Sequence, residues 1–83
     1  MRRVLMIGPV TGARARLMLY IDGRVDALRI TTYGKSEAVL MRESRDGGFG
    51  PGWIGVDLDA SRLANGLYYC EVNGVVTKWM ILR

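Results

Sequence analysis

The chain has 83 residues, which is enough for one small domain and too few for two. Hydrophobic residues make up 49% and charged residues 24%, a balance typical of a globular protein rather than a disordered one. The chain contains no histidine and one cysteine, Cys70, which excludes serine–histidine and cysteine–histidine catalysis, histidine metal sites and an internal disulfide. We therefore predict a single domain over residues 1–83, without a cofactor or a metal site.

Lysine and arginine together number 12 against 8 acidic residues, a formal net charge of +4. A basic domain attracts polyanions, but here the cations are dispersed and acidic residues lie between them. This pattern favours a mixed, solvated surface over a nucleic-acid footprint. No apolar run approaches the ~18 residues that a membrane-spanning helix needs, so we predict no membrane insertion.

Short apolar runs separated by turn residues predict strands rather than helices. In chain order, the predicted strands are Arg3–Ile7, Arg14–Ile21, Arg24–Thr31, Glu37–Arg42, Trp53–Leu58, Leu67–Val72 and Val75–Leu82. About seven short antiparallel strands in a chain of 83 residues predict an all-β fold, a small β-sandwich or alternatively a small β-barrel.

Two dipeptides predict tight hairpins between neighbouring strands. Asp22-Gly23 and Asn73-Gly74 both suit type I′ turns, which require positive φ at both central residues. A two-residue turn at Asp22-Gly23 places Arg16 opposite Arg29, a mildly unfavourable like-charge pair. The strands on either side of that turn therefore either diverge or are joined by a longer loop.

The hairpin at Asn73-Gly74 predicts a complete pairing register. One face receives the more apolar pairs Val72–Val75, Cys70–Thr77 and Tyr68–Trp79. The opposite face receives the pairs Glu71–Val76, Tyr69–Lys78 and Leu67–Met80. We expect the first face to point to the core, while Leu67, Met80 and Leu82 leave the second face partly apolar.

The densest glycine stretch runs from Asp46 to Gly55 and contains a literal GxGxxG at Gly50, Gly52 and Gly55. A dinucleotide site needs a strand before this motif and a helix after it, whereas Pro51 interrupts the motif and the sequence after it looks extended. We predict a flexible connection between strands. Since exposed loops often bind partners, its residues form a candidate interaction loop: Gly47, Gly48, Phe49, Gly50 and Trp53.

Other chemistry-bearing residues have structural interpretations. Asp57, Asp59 and Ser61 have a calcium-type spacing, but Arg62 replaces the glycine that an EF-hand requires, which leaves a looser cation site as an alternative. We expect Asp59 or Ser61 to cap a single helical turn over residues 62–64. Cys70 falls on the predicted core face, where a thiol is usually inert. No spacing brings two carboxylates together, so we predict that the protein is not an enzyme.

The second half of the chain resembles a known group of β-domains. It carries Asp57, then a short turn to Leu63-Ala64-Asn65-Gly66, then Gly66-Leu67-Tyr68, and a last strand from Lys78 to Arg83. These features resemble the C-terminal sorting domains of type IX secretion cargo and the Ig-like domains of flagellar hook-scaffold proteins. Upstream, Tyr20 with Asp22-Gly23-Arg24 is similar to their Tyr-Asp-x-x-Gly-Arg hairpin.

The resemblance covers residues 14–83 and implies a seven-stranded Ig-like sandwich that is recognised by secretion or assembly machinery. It implies an exported or cell-surface location and no catalysis. Our leading expectation is therefore a non-catalytic interaction or sorting module with a protein partner, which can also form a homo-oligomer. The alternative is a small basic β-barrel that binds single-stranded nucleic acid through dispersed arginines and exposed aromatic rings, although core packing of Tyr68 and Trp79 is favoured.

Overall fold

The structure is a computed structural model that describes residues 3–6 and 11–83. Its seven strands are β1 (Arg3–Met6), β2 (Arg14–Ile21), β3 (Val25–Tyr33), β4 (Val39–Phe49), β5 (Gly52–Asp59), β6 (Gly66–Val72) and β7 (Val75–Ile81). The described residues contain no helix. The all-β prediction is confirmed, and the division of the strands between two packed sheets makes the fold a sandwich. The predicted end of the first strand, Ile7, lies outside the described residues.

The strands form two antiparallel sheets, one with the order β1-β2-β5 and the other with the order β4-β3-β6-β7. Side chains alternate between buried and exposed along the strands, because successive residues point to opposite faces of a sheet. The inward side chains form one hydrophobic core between the two sheets. Its fully buried members include Leu17, Leu19, Ile21, Leu28, Ile30, Leu58, Cys70, Val72 and Ile81.

The β6–β7 hairpin has the register that the sequence predicts. Val72 pairs with Val75, Cys70 with Thr77 and Tyr68 with Trp79. Asn73 and Gly74 form the turn with φ values of +48° and +88°, as a type I′ turn requires. The rings of Tyr68 and Trp79 pack with their centroids 5.4 Å apart in the core, which confirms the predicted inward face.

The predicted hairpin at Asp22-Gly23 is wrong. Strand β2 pairs with β1 and β5, whereas β3 pairs with β4 and β6, so residues 22–24 connect the two sheets instead of joining two paired strands. The register that forms places Arg16 opposite Asp57, with 3.9 Å between Arg16 Nη1 and Asp57 Oδ1. Pairing β2 with β5 thus replaces the unfavourable Arg16–Arg29 pair by one of opposite charge.

Strand β4 is longer than the predicted strand Glu37–Arg42 and begins later. Glu37 lies in the β3–β4 loop with a φ of +66°, and its N–H donates to the Gly34 carbonyl over 3.1 Å. The strand then continues to Phe49 through a polar, glycine-containing segment. Among the described strands, β4 pairs with β3 alone and is an edge strand that buries little of its own surface, so its second half carries no apolar signal.

The β5–β6 connection contains a tight turn and no helical turn, so the prediction for residues 62–64 is wrong. The Leu63 N–H donates to the Ala60 carbonyl over 3.1 Å, and the Ser61 N–H donates to Asp59 Oδ1 over 3.0 Å. Of the two residues predicted as caps, Asp59 accepts this N–H and Ser61 donates it, in a tight turn instead of a helical one. At the start of β6, the Tyr68 hydroxyl donates back to the Ala64 carbonyl over 2.6 Å and ties the connection to the sheet.

Candidate functional site

The structure separates the residues of the predicted interaction loop. Gly47, Gly48 and Phe49 form the end of β4, and Trp53 lies inside β5. The non-strand connection consists of Gly50 and Pro51 alone, so the predicted flexible loop is wrong. The glycine motif runs directly into strand β5, so this segment offers no helix N-terminus for a dinucleotide pyrophosphate.

Gly50 occupies a close contact between the two strand connections. Its φ is +84°, and a Cβ atom there would lie 2.6 Å from the Gly23 carbonyl oxygen and 2.7 Å from Ile21 Cγ2. Any larger residue would therefore meet both backbone strain and a clash. Phe49, next to it, packs partly buried against the core. Gly50 and Phe49 therefore have structural roles in the fold. Trp53 is the most exposed large side chain of the predicted interaction loop.

Trp53 forms an aromatic pair on the outer face of the three-stranded sheet. It pairs in register with Tyr20, and the two ring centroids lie 5.3 Å apart with an angle of 59° between the planes. Half of Trp53 is exposed, at 50%. Arg16 lies on the same face, with its guanidinium over Gly55. The arrangement presents part of the indole ring to solvent beside a cation.

A larger apolar surface covers the outer face of the β6–β7 hairpin. Val76, Met80 and Leu82 are 55%, 43% and 52% exposed, and Leu67 and Tyr69 between them are half-buried. We call these five residues the hairpin patch. Leu67 pairs with Met80 in register, so the patch is continuous across both strands. The predicted partly apolar face of the last hairpin is therefore present and uncovered.

A groove adjoins the hairpin patch on the side of the β3–β4 loop. It has a volume of about 330 Å³ and is lined by Tyr33, Gly34, Lys35, Glu37, Tyr69 and Val76. The Tyr33 hydroxyl donates to Glu71 Oε2 over 2.9 Å, and this hydrogen bond, together with partial burial, raises the pKa of Tyr33. The phenol therefore stays protonated at neutral pH, and the Glu71 carboxylate already accepts a hydrogen bond from within the fold.

Several titratable groups of the described residues are buried or bonded to other parts of the fold. Burial raises the pKa of the Cys70 thiol to about 12, so it cannot act as a thiolate nucleophile at neutral pH. Glu43 accepts from Arg45 Nη2 over 3.2 Å, and the same Arg45 nitrogen donates to the Asp57 carbonyl over 2.8 Å. These bonds link the edge of β4 to the edge of β5.

The calcium-type spacing does not assemble a cation site. Asp57 faces Arg16 on the outer face of the sheet, whereas Asp59 caps the turn at Ser61. The hydrogen bonds from Ser61 lower the pKa of Asp59. Among residues 11–83, no three cysteine, aspartate or glutamate side chains come together as a metal-binding group.

Sequence reasoning missed the arginines of the four-stranded sheet. Arg29 and Arg42 lie on its outer face, where β3 and β4 bring them to neighbouring register positions. The alternation of Leu28, Arg29, Ile30 and Thr31 predicts which side chains of β3 point outward, but the sequence contains no signal for which strand lies beside them. The β3–β4 register, with its two irregularities, is a property of the folded sheet.

Comparisons with protein-family models, with curated protein sequences and with solved structures found no match to this chain. Within the part of the chain that the structure describes, no helix is long and apolar enough to cross a membrane.

Proposed function

We propose that the protein is a non-catalytic β-sandwich module that binds a protein partner through the hairpin patch. The observation that carries this proposal is the exposure of Val76, Met80 and Leu82 on one continuous face. Large side chains left in water on one face of a sheet are typical of surfaces that a partner covers. Lys78 lies between Val76 and Met80 on the same face, opposite Tyr69, and supplies a charge within the contact surface.

A second copy of the chain is one partner that this surface accommodates. The patch lies on a β-hairpin whose outer strand, β7, is at the edge of its sheet. Apolar faces beside a sheet edge favour association between copies. Homo-oligomerisation therefore belongs to the proposal, next to binding of a different protein.

The sorting role that the sequence resemblance implies, and the Ig-like class of the sandwich, also belong to the proposal. Two observations support the Ig-like class. The strands divide three and four between the sheets, and Tyr68, two residues before Cys70, donates its hydroxyl to the Ala64 carbonyl four residues upstream. A tyrosine near the start of the corresponding strand, hydrogen-bonded to the backbone a few residues upstream, is a hallmark of immunoglobulin-type sandwiches.

The proposal is tested by making the patch polar. Val76→Thr/Met80→Gln changes two exposed side chains, and Leu40→Gln, at an equally exposed position on β4, is the matched control. We expect the wild type and the control to form the same cross-linked complexes in native lysate, and to show the same concentration dependence in sedimentation. The double variant should lose at least one of these associations. Equal behaviour of all three proteins would contradict the proposal.

A second candidate, binding of single-stranded nucleic acid, is favoured by the half-exposed Trp53 beside Tyr20 and Arg16. Bases stack on exposed aromatic rings, and cations contact the backbone phosphates. This function predicts salt-dependent retention on single-stranded DNA that Trp53→Ala weakens and Val76→Thr/Met80→Gln leaves unchanged. Absence of retention at low salt would rule it out.

A further inference from the structure

The outer face of the four-stranded sheet carries a second, polar surface on strands β3 and β4. In register, Arg29 faces Ser44 and Thr31 faces Arg42, so that arginines and hydroxyls alternate across the two strands. Leu28 and Ile30 on β3 point into the core, so Arg29 and Thr31 point outward. Ser44 and Arg42 lie directly opposite them and therefore share the outer face. We call Arg29, Thr31, Arg42 and Ser44 the arginine–hydroxyl square.

The square surrounds a shallow groove of about 430 Å³, lined by its four members together with Ile30 and Glu43. Arg29 and Arg42 are diagonal neighbours, a relationship that places residues on adjacent strands about 7–8 Å apart. Two long guanidinium side chains at that spacing can converge on one small group between them. The hydroxyls occupy the other diagonal and add two further donors.

The backbone that carries Arg29 is held on both sides. Its N–H donates to Asn73 Oδ1 over 2.9 Å, and its carbonyl accepts from the Asn73 N–H over 3.2 Å. On the other side, β3 pairs with β4 from Ala27 to Thr32. The base of the square is therefore a paired sheet rather than a loop, and side chains on paired strands are positioned better than side chains on loops.

The acidic neighbours of the square are engaged with other groups. Glu43, which lines the groove, accepts from Arg45 over 3.2 Å, and Glu71, opposite Thr31 on β6, accepts from the Tyr33 hydroxyl over 2.9 Å. Among the described residues, neither Arg29 nor Arg42 takes part in an ion pair. Two cations therefore flank the groove, whereas the neighbouring carboxylates already accept hydrogen bonds from other side chains.

We propose that the arginine–hydroxyl square binds one tetrahedral oxyanion, a phosphate or sulfate group. Guanidinium groups match the oxygens of such groups with paired N–H donors, and these charge-assisted hydrogen bonds are the strong ones. Thr31 and Ser44 supply hydroxyl donors to the remaining oxygens. Glu71 lies opposite Thr31 on the same face, so the surface does not continue across β6 as the cationic track that a nucleic-acid backbone needs.

Titration of the full chain with inorganic phosphate and with sulfate, followed by amide NMR, tests the site. Sodium chloride at matched ionic strength is the reference. We expect saturable shifts at Arg29–Thr31 and Arg42–Ser44 with both oxyanions and not with chloride. A titration with phenyl phosphate distinguishes a phosphate ester from the free anion as the ligand. Tighter binding of phenyl phosphate than of phosphate would identify an ester, and equal or weaker binding would identify the free anion.

Arg29→Gln and Arg42→Gln should each weaken the binding about tenfold, as loss of a charge-assisted hydrogen bond predicts. Arg14→Gln is the matched control, because it removes the same charge from an exposed position on the other sheet. Unchanged melting temperatures of all three variants establish that they fold. Shifts that do not saturate, or that persist in Arg29→Gln/Arg42→Gln, would overturn the proposal. The proposal would also be overturned if the protein bound single-stranded DNA but neither oxyanion, and if Arg14→Gln weakened that binding as much as Arg29→Gln and Arg42→Gln did.

Discussion

Asn73 and Arg29 form a reciprocal pair that extends the β3–β6 ladder beyond its last strand residues. The Arg29 N–H donates to Asn73 Oδ1 over 2.9 Å, and the Asn73 N–H donates to the Arg29 carbonyl over 3.2 Å. The Asn73 side chain also donates to the Ala27 carbonyl over 3.0 Å. Asn73 thus adopts the positive φ that the turn requires, and its side-chain amide forms hydrogen bonds to the neighbouring strand β3.

This pairing predicts the ranking of Asn73 variants. Asn73→Gly keeps the positive φ and loses both side-chain hydrogen bonds, so we expect a loss of about 1–2 kcal/mol in the free energy of unfolding. Asn73→Ala loses the same bonds and also strains the backbone, so its loss should be larger by about 1 kcal/mol. Urea denaturation measures both. A glycine variant as stable as the wild type would show that the amide contacts contribute nothing.

The Trp79 ring should be the more sensitive of the two tryptophans. It is 4% exposed and packs on Tyr68, so Trp79→Ala should cost about 3–5 kcal/mol. Trp79→Phe should cost less, because the Nε1–H that it removes is buried without a hydrogen-bond partner among the described residues. Trp53→Ala, at a half-exposed position, is the control and should cost clearly less. Equal losses at positions 53 and 79 would contradict the assigned burial.

Arg83 should stabilise the fold through its guanidinium. Its three nitrogens donate to the carbonyls of Gly12, Ala60 and Leu63 over 2.9, 2.5 and 2.5 Å, which joins the β1–β2 connection to the β5–β6 turn. Arg83→Lys keeps the charge but not the planar fork, so we expect it to lose about 2 kcal/mol, close to the loss in Arg83→Ala.

The control for Arg83 is Arg62→Ala, an exposed arginine in the same turn, which should change stability by less than about 0.5 kcal/mol. Thermal and urea denaturation of the four proteins measure the effect. A lysine variant with wild-type stability would show that charge alone accounts for the contribution of Arg83.

The Cys70 thiol should be unreactive in the native protein. Burial raises its pKa from 9.0 to about 12, so a thiol reagent at pH 8 should modify it at the rate of unfolding and not at the rate of the free thiol. Because the folded protein holds this proton more tightly than the unfolded chain, the stability it contributes is complete below pH 9 and declines between pH 9 and 12.

Comparison with Cys70→Ala isolates this titration from those of tyrosine and lysine. Over that pH window, the wild type should lose stability more steeply than the variant, by up to about 1.4 kcal/mol per pH unit. Parallel stability curves, or rapid labelling under native conditions, would contradict the burial of Cys70.

The structure of the β6–β7 hairpin follows from local sequence rules. Asn73-Gly74 defines the turn, the turn defines the register, and the register places Tyr68 and Trp79 on one face and Leu67 and Met80 on the other. Each step involves neighbours in the chain, so short-range rules were sufficient. The same rules located β2 over Arg14–Ile21 and the face of the hairpin that stays uncovered.

The pairing of strands that are distant in the chain depends on long-range packing in the folded protein. Asp22-Gly23 has the same turn chemistry as Asn73-Gly74, yet it connects two sheets, because β2 finds its partners in β1 and β5. That choice depends on burying Leu17, Leu19 and Ile21 together and on pairing Arg16 with Asp57, and neither is a property of the turn. For the same reason, only the folded sheet brings Arg29 beside Arg42.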